Sequence, residues 1–343
     1  MAEPGLIDRI AGRAKARPVG PGADTEPHAT DRYDGTTYYG RSPLKPAPFE
    51  SGVVGAYIFV SGLSGAAQLI TSLADLAGVR HREGLVRRGR LLSLLAPVIG
   101  APLLIYDLHT PQRFYNMLRV AKRTSPMSIG TWILMGFSAF SGVTSALHAI
   151  GSRLLPGRFP WLKRAARWTQ APAAAAGMGL GTYTAPLLSA TSTPLWAAAP
   201  KALAVQFAAS AMAAGAASLS IGERHGGNKR LARDLDTLML ASLAVELGAS
   251  MANDSAARAK GVSATHAARP LKAGALLGAL APFALHALAA RGGRNSTMLK
   301  DAAAVAALGG SFCLRTWALR AGAESARRPG DAFRFAKPRN LPR

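Results

Sequence analysis

Eight apolar stretches, each near the roughly 20 residues that a bilayer core demands, alternate along this chain with short loops rich in arginine. The average composition hides this. Of 343 residues 49% are hydrophobic, which a soluble domain also reaches, while the formal net charge is +23. The distribution decides: Asp and Glu are scarce (18), and most of the 41 Lys and Arg cluster between long uncharged runs. Lipid is the solvent that such a pattern fits. Inside lipid, backbone polar groups must pair within their own segment, and the runs show no alternating polarity, so they are helices and not strands. The fold class is an all-α integral membrane protein, a bundle of about eight transmembrane helices.

The expected spans are Val53–Leu76, Leu91–Tyr106, Ile129–Ile150, Ala171–Ala190, Leu195–Ile221, Leu235–Ala252, Leu271–Ala290 and Ala302–Leu319. Pro97 and Pro102 predict a kink in the second, and Pro200 and Lys201 interrupt the fifth, where Lys201 snorkels. Residues 1–50 read as a polar, largely irregular arm with room for an amphipathic helix over Leu6–Ala16, residues 51–320 as the membrane domain, and residues 321–343 as a basic tail. Small residues crowd the fourth and fifth spans (Gly177, Gly179, Gly181, Ala208, Ala209, Ala213, Ala214), either because backbones approach closely there or because alanine is simply abundant. No short repeat period is visible. The loops after spans one, three, five and seven hold 17 Lys and Arg, against 8 in the loops after spans two, four and six when Lys272, at the edge of the seventh span, is included. The positive-inside rule then places both termini outside, although each tail holds 7 basic residues of its own.

Several classes fall away. Nucleic-acid binding expects a basic face on a folded domain. Here the positive charge caps apolar segments, which makes membrane lipid head groups the counter-ions. One cysteine, Cys313, lies within an apolar run, and no CxxC is present to hold zinc or an iron–sulfur cluster. An electron carrier of that kind belongs to a partner. Met1–Glu50 has no apolar core of a cleavable signal, so the first span is expected to direct insertion.

Two stretches are richest in chemistry. Asp107-Leu-His-Thr-Pro-Gln-Arg-Phe-Tyr-Asn-Met-Leu-Arg119 follows the second span and is amphipathic; Arg113, Phe114, Met117 and Leu118 fit a short interfacial segment between helices two and three. Gly181-Thr-Tyr-Thr-Ala-Pro-Leu-Leu-Ser-Ala-Thr-Ser-Thr-Pro-Leu-Trp196 puts Tyr183, Ser189 and further hydroxyls at the end of the fourth span. Ionisable groups at membrane depth are costly and count as functional candidates. Glu246 and Arg315 both fall toward the side of the Asp107 loop, where they pair with each other or line a wet path; alternatively Arg315 snorkels and Glu246 is neutral and hydrogen-bonded. Asp75, at the far end of the first span, either admits protons from the opposite side, with Gln68 further along, or caps the helix.

At these residues the chain resembles the NrfD/PsrC family, the membrane anchors of polysulfide-reductase-type molybdoenzymes. Asp107-Leu-x-x-Pro-x-Arg-Phe114, a basic turn, Thr124-Ser-Pro-Met-Ser128 and Gly130-Thr-Trp132 carry the resemblance. So do the run from Tyr183 to Trp196, the opening Tyr39-Gly-Arg-Ser-Pro-Leu-Lys45, and Gly62-Leu-Ser-Gly65. The resemblance covers about residues 35–335. It implies eight helices, no haem, no iron–sulfur cluster of the chain's own, and a pocket for menaquinone or ubiquinone as exchangeable substrate. That pocket lies near the face that docks a four-cluster, ferredoxin-like iron–sulfur subunit, itself joined to a molybdopterin catalytic subunit. Tyr183 matches the family's quinone-contacting tyrosine, with Tyr57, Ser189, Glu246 and Arg315 as further cofactor-binding candidates. Asp107, Arg113, Phe114 and Arg119 become the partner interface, and Asp75 and Gln68 the proton path. Where the family carries Asn and His on its first helix, this chain offers Tyr57, Ser61, Ser64 and Gln68. The implied setting is a respiratory complex in the bacterial cytoplasmic membrane, with no nucleic acid among the partners.

Three rivals remain. A cytochrome b needs histidine pairs as haem ligands, and only His148 and His286 lie within spans. A secondary transporter needs related halves with breaks at matching positions, and Pro97, Pro102 and Pro282 have no evident counterparts. The third is a purely structural anchor.

Overall fold

A computed structural model describes residues 43–47, 49–108, 110–154, 159–262, 268–292, 296–337 and 340. The expected amphipathic helix at Leu6–Ala16 lies outside them. Among the described residues every regular element is helical. Eight long helices follow in order: α1 (Ser51–Leu76), α2 (Glu83–Asp107), α3 (Pro126–Ala149), α4 (Pro160–Thr182), α5 (Pro200–His225), α6 (Lys229–Ala259), α7 (Arg269–Ala290) and α8 (Ser296–Arg327). Seven of them, all but α4, are long and apolar enough to cross a membrane. In α4, Lys163, Arg164, Arg167, Gln170 and Pro172 fill the first half, so the expected span from Ala171 is the second half of a longer helix, continued by a short one at Thr184–Ser189.

Local chemistry sets the helix ends. Ser125 caps α3 by accepting from the Ser128 amide at 3.4 Å, with Pro126 in the first turn, and Asn228 accepts from the Leu231 amide at 3.3 Å at the start of α6. Pro97 has no N–H to give, and α2 opens there into a π-turn over Ala96–Gly100 before resuming at Ala101. The break expected in the second span takes that form. The fifth span divides into a short helix at Pro194–Ala198 and then α5, with Lys201 in its first turn. The last span runs on to Arg327, and Pro329–Phe335 adds a further short helix within the expected tail. The loop after α2 contains one 3-10 turn (Pro111–Arg113) and one helical turn (Asn116–Arg119).

The helices α1, α5 and α8 form the centre, and α2, α3 and α7 the periphery: 72% of the α1 span is buried against 22% of the α3 span. Exposed Val98, Trp132, Phe140, Leu277 and Leu280 on the outer helices are the apolar surface that lipid covers. Small residues bring the central backbones together. A Cβ at Gly65 would lie 2.4 Å from the Gly177 carbonyl oxygen, fixing α1 against α4, and Gly278 and Gly310 do the same for α7 and α8.

The chain is also built twice. Helix α1 and helix α5 both have 26 residues, and each position on the first has its counterpart 149 residues later, from Ser51 and Pro200 to Leu76 and His225. Counterparts meet across the centre, since Gly62 abuts Ala211 and Gly215 abuts Ala66. The contacts also swap, as a two-fold axis requires: α8 meets α1 where Arg315 reaches Gly62, and α4 meets α5 where Gly181 reaches Ala211. With four helices per half, equivalent helices point the same way through the membrane. The π-turn of α2 faces no break in α6, so the matched discontinuities of a secondary transporter are missing among the described residues.

Candidate functional site

The two ends of the bundle differ in chemistry. One end gathers the start of α1, the end of α2 and the loop beyond it, the end of α4, and the end of α8. At this end Asp107 Oδ1 accepts from the Glu50 amide at 3.1 Å and Arg320 Nε donates to Ser51 Oγ at 2.9 Å, so both neighbours clamp the entry to α1. Arg113, Phe114 and Arg119 are exposed here, with Phe114 edge-on to Tyr115. The lesser exposure of Met117 and Leu118 gives the turn one apolar side, as an interfacial segment needs.

Just inside this end, Tyr57 on α1 and Tyr183 at the end of α4 join through their hydroxyls in a short hydrogen bond. Two glycines make room for them. Gly130 on α3 lies flat against the ring of Tyr183, where an added Cβ would sit 2.2 Å from Cε2. Gly100, which closes the π-turn of α2, lies beside Tyr57 and Ser61. Both glycines were missed by sequence reasoning, although Gly130 opens the Gly-Thr-Trp motif. Two phenols carry two O–H donors and their mutual bond uses one, so one donor is left for a carbonyl.

Below this pair, α1 turns a continuous polar stripe inward. Ser61, Ser64, Gln68, Thr71, Ser72 and Asp75 follow Tyr57 at helical spacing, and all are buried. Gln68 Nε2 donates to Ser72 Oγ at 2.9 Å, Ser72 Oγ donates to the Gln170 carbonyl, and Gln170 Nε2 donates to Asp75 Oδ2 at 2.9 Å. Asp75 is ringed by arginines: Arg82 at 2.8 Å, Arg167 at 3.7 Å and Arg90 at 4.0 Å. Gln68 and Asp75 therefore belong to one network that reaches the arginine-rich end.

Glu246 and Arg315 come together elsewhere. Arg315 on α8 is buried and donates to Ser210 Oγ at 3.1 Å, to the Ser311 carbonyl and hydroxyl, and to the Phe207 carbonyl, with its guanidinium over the Phe207 ring. Glu246 lies on α6 beside Ser210, so a serine stands between acid and base. Glu246, Ser210 and Arg315 belong to the second half of the chain and Tyr57 and Tyr183 to the first, while the Arg315 guanidinium also reaches Gly62 on α1. Ser189 ends the short helix after Tyr183, and its hydroxyl is buried without a partner. His148 and His286 lie on α3 and α7, again in different halves.

The sequence profile of the family described as polysulphide reductase, NrfD, matches residues 44–324. The chain belongs to the NrfD family. No curated protein matches it. Membership makes this NrfD chain a multi-pass membrane protein and a subunit of a respiratory oxidoreductase of the kind that interacts with quinone. The matched region spans all eight helices and both tyrosines, and ends near the close of α8.

Proposed function

We propose that this NrfD chain is the quinone-reactive anchor of its complex, passing electrons between menaquinone or ubiquinone and an iron–sulfur subunit of four-cluster ferredoxin type that serves a molybdopterin catalytic subunit. The observation that carries this reading is the Tyr57–Tyr183 hydroxyl pair, set between two glycines near the end of the bundle where the exposed Arg113, Phe114 and Arg119 surface lies. A bound quinone supplies a two-electron, two-proton couple. Tyr183 donates its hydroxyl to one quinone carbonyl, and Tyr57 holds the phenol in that orientation. Asp107 keeps the start of α1, and hence Tyr57, in register with the end of α2. The α1 stripe from Asp75 through Gln68 carries protons between the pair and the arginine-rich end. That end is taken to face the cytoplasm of a bacterium, with the tyrosine pair, the docking surface and both termini on the outer side. Residues 51–320 would form the membrane domain and the flanking segments would serve the partner contact.

Binding of a quinone analogue to the chain in lipid nanodiscs tests the reading. Tyr183→Phe removes one hydroxyl and little volume, and is expected to weaken binding about ten-fold, the size of one lost hydrogen bond. Unchanged affinity in Tyr183→Phe and in Tyr57→Phe would remove the site. A separate measurement addresses the stripe: Gln68→Leu is expected to slow quinol turnover by about ten-fold or more while leaving analogue binding as in the parent.

A further inference from the structure

The internal duplication gives the tyrosine pair a counterpart whose chemistry differs. On α5 the residue equivalent to Tyr57 is Gln206, and the one equivalent to Ser61 is Ser210. On α8, taking Arg315 as the equivalent of Gly181, Trp317 takes the place of Tyr183. Gly100 stands beside Tyr57 and Ser61 in the first half; Glu246 stands beside Ser210, and shares a pocket with Gln206, in the second. A glycine that clears space has been exchanged for an acid that fills it. What remains is a recess of about 10 Å³ with a mostly apolar lining that includes Trp317, and with Gln206, Glu246, Ser250 and Lys272 as its polar side. That is about the least space one water occupies and far too little for an organic ligand.

The atoms around this void are mismatched in a particular way. Glu246 Oε2 and Gln206 Oε1 are both buried and both lack a hydrogen-bond partner. Both residues line the same small space, and two such acceptors are satisfied by a water that donates to each, or by a proton on the carboxyl itself. Glu246 is 4% exposed and lies in the middle of α6, where an ionisable group at membrane depth counts as a functional candidate. The charged groups facing it are two. Arg315 lies across Ser210, to which it donates at 3.1 Å, without forming a direct ion pair with Glu246. Lys272 lines the void from α7, but both its hydrogen bonds to a carboxylate go to Asp254, at 2.7 Å, and its ammonium lies over the Trp317 ring.

We infer that the second half carries a proton-holding site where the first half carries its tyrosine pair, with Glu246 exchanging a proton with one water bridged to Gln206. In the exchange the carboxylate takes a proton from hydronium, leaving water, and returns it by the reverse step. The Lys272–Asp254 pair, two turns from Glu246 on α6 and nearer the docking end, marks the side on which the site meets bulk water. The inference does not depend on quinone reacting at Tyr57 and Tyr183, and its test uses no quinone.

Infrared spectra of the full chain in nanodiscs, titrated with pH in light and heavy water, read the site directly. A carboxylic C=O band that grows as pH falls and shifts in heavy water is expected in the parent. It should vanish in Glu246→Gln and persist in Tyr57→Phe. Gln206→Leu removes the water's second partner without touching the acid, and should move the band while keeping it. A parent spectrum without a titrating protonated-acid band overturns the inference, as does a band indifferent to both the Glu246 and the Gln206 substitution. Should Glu246→Gln not fold, Gln206→Leu decides alone: a band in the parent frequency and with the parent titration sinks the proposal.

Discussion

Arg224→Asp is expected to be the most damaging single substitution at the arginine-rich end, lowering the thermal midpoint of the detergent-solubilised chain by roughly 10 °C or more. Arg224 closes the end of α5 and its side chain is 7% exposed. One guanidinium nitrogen donates to both oxygens of Asp236, at 2.7 and 2.9 Å, and to Ser220; the other meets Asp301. Three helices, α5, α6 and α8, therefore meet at a single cation. Breaking a buried pair leaves the partner charge uncompensated, which costs about 3–5 kcal/mol, and the substitution also sets a third carboxylate beside two others. Adding Asp236→Asn to Arg224→Asp should recover part of the loss. Arg230→Asp, in the first turn of α6 and exposed, should shift stability by no more than about 0.5 kcal/mol. Equal midpoints for Arg224→Asp and Arg230→Asp would mean that the cluster does not hold the helices together.

The same cluster explains why the duplication was invisible in the sequence. Its first-half equivalent is Asp75, an acid among Arg82, Arg90 and Arg167, whereas Arg224 is a base between Asp236 and Asp301. The architecture has been kept and the charges exchanged, so residue identity carries almost no trace of it. Tyr57 against Gln206 and Gly181 against Arg315 are equally unlike. The spans, by contrast, were legible because lipid leaves only one way to satisfy a backbone, and seven of the eight helices announce themselves by hydropathy alone. The fourth was read short because its first half carries three basic residues and a glutamine: Arg167 reaches Asp75, and Gln170 joins the Asp75 network. Depth was legible too, and it singled out Glu246 and Arg315, both of which are buried, whereas Tyr57 and Tyr183 came from the family resemblance. Which of these share a site depends on how helices are rotated against one another. That is set by contacts such as Gly65 on Gly177 and Gly62 on Arg315, between residues far apart in the chain.

Gly130→Val is expected to cost quinone reactivity about 100-fold, more than removing the Tyr183 hydroxyl itself. The reason is steric and local. A Cβ at this position would lie 2.2 Å from Cε2 of Tyr183, 2.8 Å from Cδ2 and 3.1 Å from Cζ, so ring and side chain cannot occupy the same place. Gly130 sits in the second turn of α3, after the Ser125 cap, and the helix itself tolerates valine at small cost. What must move is the tyrosine, which ends α4 and is half-buried. Its displacement separates it from Tyr57 and takes the donor away from any carbonyl held there, and a misplacement of about 1 Å suffices for a loss of this order. Tyr183→Phe keeps the ring and removes one bond; Gly130→Val keeps the hydroxyl and removes its position. Quinol oxidation by the complex in nanodiscs distinguishes the two, with monodispersity and thermal midpoint followed alongside. Combining Gly130→Val with Tyr183→Ala relieves the clash, and should restore the midpoint without restoring turnover. If Gly130→Val turns over quinol as the parent does while folding normally, the tyrosine pair is a packing feature and the reaction takes place elsewhere.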